Sequence, residues 1–311
     1  MLSKEQQRKL IRSTYGTSAQ FIRSIKQMYR NADRQIKGEI SVFLADEINW
    51  SAPAQKDDIQ DAMDELRGFD DSVAPLVAFY ASSLVLGHPK QSDVLTARVA
   101  VPLIKAGQSM HQMMNHNGNK IPQDVSKVSK AQQVATPQLH QLPFNYNVLM
   151  QRSISQAVTQ RKGVGDDINR NIQQTITKVR DVCKTASQDS DAKKDYAKLV
   201  DRIINGKNGT GGSLARAETI MRTQTCRELN NSTITDFSAR GVSKYRFLSL
   251  EAANSCEDCT SLDGNVYDVE DAQEGVNLPP MHPNCQCWIE EVEDTTDEYG
   301  SGSDLEITED S

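Results

Sequence analysis

The chain of 311 residues carries its reactive side chains in two short stretches near its C-terminal end. Cys256 and Cys259 stand in "CEDC", and His282, Cys285 and Cys287 follow in "MHPNCQC". A C-x2-C knuckle lets two thiolates reach one tetrahedral ion from a tight turn, and thiolate with imidazole is the donor set that zinc prefers. The five candidates Cys256, Cys259, His282, Cys285 and Cys287 are one more than a closed structural site needs, and which four serve stays open. The spacing predicts a structural zinc held by the Cys256/Cys259 pair and two of the other three. Pro279, Pro280 and Pro283 stiffen the loop that presents the second set. A small unit with little apolar area also gains from a metal staple, because metal-binding energy becomes folding energy. The alternative is a set of free or disulfide-linked thiols packed beside a sheet.

Catalytic readings of the same residues fit less well. A zinc deaminase needs a histidine two positions before a glutamate, whereas His282 is followed by Pro283 and Asn284. A cysteine nucleophile with His282 as base is chemically feasible, but no third orienting group is identifiable in the sequence. The glycine run "NGKNGTGG" at 205–212 lacks the Gly-Lys-Ser/Thr ending that would cradle a phosphate. Cys183 and Cys226 read as buried structural residues.

The elements that must position the cluster lie on either side of it. A helix is expected from Ser213, as N-cap, to about Arg240, with Gly241 as its stop. Leu214, Ala217, Met221, Thr225 and Leu229 fall on one stripe of that helix and Arg216, Thr223 and Arg227 on the opposite one, which is expected to be free for binding. Glu218 and Arg222, four apart, are placed to pair. Strands are expected at 244–250 and from Cys287, with a hairpin turn at Asp263-Gly264.

Upstream, Ile11, Tyr15, Ile22, Ile25, Tyr29, Ile36, Ile40 and Phe43 recur at steps of three, four or seven, which predicts one or two amphipathic helices over the first 45 residues, with a break and new N-cap suggested at Gly16 to Ser18. Shorter helical patterns fill 57–107. Residues 108–143, rich in Gln, Asn and Lys and interrupted by Pro122, Pro137 and Pro143, read as a linker or long loop. Helical periodicity returns from 144 to 212 on both sides of "GVG" at 163–165, where Asp166 and Asp167 could cap the second part.

The formal net charge of −7 conceals an asymmetry: residues 1–246 carry +11, and 247–311 carry −18. Such a split points to partner surfaces of opposite sign, with the basic part suited to nucleic acid. Aromatics at 5% and hydrophobics at 37% suggest long, partly exposed helices. No window approaches the roughly 20 apolar residues of a membrane span, and the N-terminus lacks the apolar core of a signal peptide. The expectation is a protein of the cytosol, or assembled from it, where close cysteines favour metal over disulfide.

Together, "RAETIMRTQT" (216–225), "CEDCTSLDG" (256–264) and "PPMHPNCQC" (279–287) resemble, in order, the C-terminal region of the phage head morphogenesis family, the Mu F-like minor head proteins. Family members usually have an acid where Gln224 stands and a tryptophan where Phe247 stands; Gln224 cannot act as a general base. The resemblance implies a minor capsid protein of a tailed phage or prophage, associated with the portal protein and needed for head assembly, genome packaging or delivery. Scaffold and major capsid proteins are further partners it implies, and the virion, after assembly in the host cytoplasm, is the location it implies. Non-specific contact with double-stranded DNA would suit the basic region, with Arg216, Arg222 and Arg227 as candidates for DNA or partner contacts. The competing expectations are a metal-dependent nuclease, a toxin-type transferase, or a host zinc-knuckle DNA-binding protein.

The organisation expected is therefore α+β: a helical N-terminal domain (1–107), a linker (108–143), a helical region (144–212), a head morphogenesis domain (213–289) consisting of a helix plus a small antiparallel β unit with the Cys/His cluster, and a disordered acidic tail (290–311).

Overall fold

Ile25, Tyr29, Ile36 and Ile40 are fully buried along one face of a single long helix, α1 (Lys4–Ala45). No break occurs at Gly16, because the apolar stripe runs unbroken across it and finds partners along its whole length. In this computed structural model, residues 4–135, 143, 145–208, 210–249 and 256–292 are described. After α1 come α2 (Lys56–Glu65), α3 (Ala74–Val85), α4 (Gln91–Ala135), α5 (Tyr146–Gln188), α6 (Ser190–Asn205) and α7 (Gly212–Arg240). The C-terminal part is β1 (Lys244–Leu248), a short α8 (Glu257–Leu262), β2 (Val266–Asp268) and β3 (Trp288–Val292). The chain is α+β, predominantly helical, with a small antiparallel sheet at the C-terminal end.

Residues 108–135, expected to form a linker or long loop, instead continue α4 in one helix to Ala135. Its inward face there is Met114, Asn117, Ile121, Val125 and Ser129, spaced by three or four and buried. Two of these five residues are polar, and Asn117 meets a polar partner, its amide donating to Thr225 Oγ1 of α7 at 3.2 Å. Pro102 and Pro122 are both accommodated within α4; the tertiary contacts outweigh the hydrogen bond each removes. Similarly, α5 runs through "GVG", so Asp166 and Asp167 cap nothing. Helices α4 and α5 cross so closely at Gly107 that a Cβ there would lie 2.2 Å from Ile172 Cδ1.

One hydrophobic core takes in side chains from α1 through α7, from Ile22 to Met221. Helix α7 is its central post. Leu214, Ala217, Met221, Thr225 and Leu229 are buried as the periodicity requires, but so are Gln224, Cys226, Glu228, Asn230 and Asp236. The bundle of α1, α4 and α5 covers one side of α7 and the β unit covers another. The helix begins at Gly212 with Gly211 as N-cap, just before the expected Ser213, and ends at Gly241, whose φ of 76° gives the left-handed stop.

The sheet has the order β2-β1-β3, both pairs antiparallel, with Phe247 opposite Ile289 and Tyr245 opposite Tyr267. Tyr245 and Ile289 bury against Phe237 of α7, Val269 and Leu278. The expected hairpin is corrected: Asp263-Gly264 joins α8, not a strand, to β2. Arg240 ties the sheet to the post, its guanidinium 2.9 Å from Asp236 and 2.8 Å from Glu291 of β3. Beyond Val292 the expected acidic tail lies outside the described residues. No helix among the described residues is long and apolar enough to cross a membrane.

Candidate metal centre

Cys256 N-caps α8 and its Sγ accepts the Cys259 amide at 3.3 Å, so the knuckle is formed by the first turn of that helix. His282 and Cys285 come from the loop after the buried Pro279 and Pro280, and Cys287 from the residue just before β3. All five expected ligand candidates converge. Cys256, Cys259 and His282 form one group whose donor atoms lie within 4.8 Å of one another, and Cys259, Cys285 and Cys287 form a second. Cys259 belongs to both.

The histidine is oriented for ligation. Its Nδ1 lies 2.8 Å from the Pro283 carbonyl, to which it can only donate, so Nε2 presents its lone pair. Nε2 stands 3.0 Å from Cys256 Sγ and 3.2 Å from Cys259 Sγ. Phe247, Leu262, Tyr267 and Met281 close an apolar shell around the sulfurs. The Cys285 thiolate accepts hydrogen bonds from the Cys226 thiol first, then from Cys287 and from the Cys287 and Met281 backbone, and is pulled down to about 2. Burial, reinforced by the neighbouring Cys256, pushes Cys259 up to about 12. One sulfur held well below the usual thiol range thus lies among four other soft or borderline donors, a set that could hold a cation.

Several residues of the site have no metal-ligand spacing to announce them. Cys226, on the buried face of α7, contacts Cys285 and points its Sγ at the Cys287 carbonyl, 3.5 Å away. That carbonyl also accepts from Asn230 Nδ2 at 3.0 Å and from the Tyr15 hydroxyl of α1 at 3.1 Å. Gln7, one further helical stretch back, donates to the Ile289 carbonyl at 3.2 Å. The only sequence signal was a sixth cysteine, on the last helix before the knuckle.

The outer stripe of α7, expected to be free for binding, is largely occupied by the cluster's own loop. Asn284 donates its backbone N–H to Thr223 Oγ1 at 3.0 Å and its side-chain amide to Thr219 Oγ1 at 3.1 Å, and it accepts from Arg222 Nη1 at 3.2 Å. Arg222 also pairs with Glu218 at 2.8 Å, as the spacing suggested. Arg227 is taken up by Glu274 and Gln224, both at 2.8 Å. Of the three candidate arginines only Arg216 is exposed. Gln224 is buried and donates to Glu228 at 2.9 Å, so the position that carries an acid in the resembling family is here a packed amide.

Residues 151–290 match a family model described as Phage Mu protein F like protein. The match opens inside α5, well before the Ser213 start of the motif-bearing stretch. Neither the curated proteins nor the solved structures contain a match to the chain.

Proposed function

We propose, from the premise that the chain belongs through residues 151–290 to the Mu F-like head morphogenesis family, that it is a minor head component of a tailed phage or prophage, portal-associated and needed for head assembly or genome delivery. The observation that carries this reading is the site itself: the family motif builds a clasp, not a catalytic constellation. His282 has one ring nitrogen committed to the Pro283 carbonyl and the other to two sulfurs. Neither nitrogen is placed to serve as base toward an incoming substrate. The cluster loop is sealed onto α7 by Asn284, and Cys259, Cys285 and Cys287 are buried. These contacts support a structural rather than an enzymatic role.

Zinc is the ion whose preferences these donors match. Cys256, Cys259 and His282 would hold it together with one thiolate of the second group, and the bound ion would lock α8 to the loop preceding β3. The proline-framed loop and the knuckle would thereby be fixed against α7, giving the portal or its neighbours a rigid surface.

The test is association. Particles assembled in the host, fractionated by size and probed for portal protein, should contain this chain in few copies, and a knockout should give defective heads or heads that fail to deliver DNA. Absence of the chain from portal-containing particles at every stage of assembly sinks the proposal.

A further inference from the structure

At 100° per residue, Arg8, Arg12, Arg23, Lys26, Arg30, Arg34 and Lys37 fall within an arc of about 80° on α1 and span roughly 40 Å of its length. They flank the buried isoleucine stripe and point away from the core; Arg8, Arg12, Arg23, Arg30 and Arg34 are exposed. Carboxylates face three of the seven: Glu290 lies 3.6 Å from Arg8, Glu218 3.5 Å from Lys26, and Asp33 and Asp201 2.7 and 3.5 Å from Lys37. Among the described residues, Arg12, Arg23, Arg30 and Arg34 have no carboxylate within salt-bridge distance. Arg23, Lys26, Arg30 and Arg34 further form one wall of an open groove of about 910 Å³, whose other wall is the end of α6 and the Gly206–Asn208 loop.

We infer that this stripe is a binding surface for the phosphate backbone of double-stranded DNA, read without regard to sequence. Three features select that occupant. The stripe is continuous, since α1 is a single helix anchored along its opposite face. Five of its seven cations are arginines, whose planar fork matches phosphate oxygens better than an ammonium does. Its regularity suits a repeating polyanion: the stretch of about 16 Å from Arg23 to Arg34 would run beside a length of duplex that carries roughly ten phosphate charges over its two strands. The surface is on α1, outside the segment that matches the family model, and is separate from the α7 arginines. It draws on the head-protein reading only for the identity of the duplex as the packaged genome.

The experiment is fluorescence anisotropy with the full chain and a labelled mixed-sequence duplex of about 30 base pairs, titrated from 50 to 200 mM salt. R23Q/R30Q/R34Q keeps good helix formers at exposed positions and should melt like the parent. It should bind at least tenfold more weakly at 100 mM salt, with the slope of log affinity against log salt reduced by about 2.7, or 0.9 for each phosphate no longer neutralised. R67Q/K127Q/R170Q, with the same change in net charge at exposed positions off the stripe, should bind like the parent. Equal binding by parent and stripe variant, equal loss in both variants, or binding of polyglutamate in place of the duplex would each overturn the inference. Duplex binding by a chain that never enters portal-containing particles removes the head reading and leaves this surface standing; the converse removes this surface alone.

Discussion

Cys259 is the sulfur common to both donor groups, so Cys259→Ser should abolish metal binding by whichever four ligands serve. Cys285→Ser should weaken it less, because Cys287 remains as the fourth ligand. Free zinc at about a thousand times its dissociation constant stabilises the folded state by about 4 kcal/mol, a modest figure beside the roughly 10–16 kcal/mol of zinc-finger peptides. The loss in melting temperature then depends on what unfolds. With about 2.1 cal/mol/K of unfolding entropy per residue, a cooperative unit confined to the 80 or so residues from α7 to β3 would lose about 24 °C, and a unit of about 270 residues only about 7 °C. Because α7 contributes Leu214, Ala217 and Met221 to the same core as α1, α4 and α5, the smaller shift is expected, in a single transition. The assay is calorimetry of the parent, the variant and the chelated parent, with metal content measured by mass spectrometry; about one zinc per chain should be found in the parent and none in the variant. A parent that purifies without metal, and melts identically after Cys259→Ser and after chelation, refutes the clasp.

Gly107→Ala should cost about 1–3 kcal/mol in denaturant unfolding, because the new Cβ collides with Ile172 Cδ1, and Ile172→Val in the same chain should recover part of that cost; strictly additive effects would contradict the contact. Arg240→Met leaves the buried Asp236, which also accepts from Tyr146, and Glu291 without their cation, and should cost about 3–5 kcal/mol. Adding Asp236→Asn and Glu291→Gln should return much of it, and failure to do so would place the cost elsewhere. Burial holds the His111 imidazole below its usual range, despite the Asn169 side chain 3.3 Å away. Its folded form therefore binds protons less readily than the unfolded chain, so its contribution is present above the unfolded value near 6.5 and is lost as pH falls from there through the folded value. Stability measured between about pH 7 and 5 should fall less steeply in His111→Gln than in the parent; parallel curves would remove that assignment.

The convergence of the five cysteine and histidine donors was legible because donor type and local spacing are covalent facts, and α1 was legible, apart from the break expected at Gly16, because isoleucine and tyrosine keep a helical period from Ile11 to Ile40. The stretch 108–135 was not, since its inward stripe uses Asn117 and Ser129 beside Met114, and such residues read as core only when Thr225 is opposite. Cys226 and Tyr15 were invisible as parts of the site for a related reason: both act on it through hydrogen bonds across 61 and 272 residues of chain. The outer stripe of α7 looked free because periodicity locates a face but not what covers it; Asn284 covers it. The basic arc of α1 was present in the sequence throughout, hidden by the more obvious apolar stripe beside it.

The bonds that Tyr15 and Gln7 make to the carbonyls of Cys287 and Ile289 join α1 to the segment that forms β3. A stretch that sequence comparison delimits at 151–290 is thus not a cassette that inheritance can move alone. Substitutions at Tyr15 or Gln7 should therefore be tolerated only alongside matching changes around Cys287 and Ile289, so that the two segments drift as one.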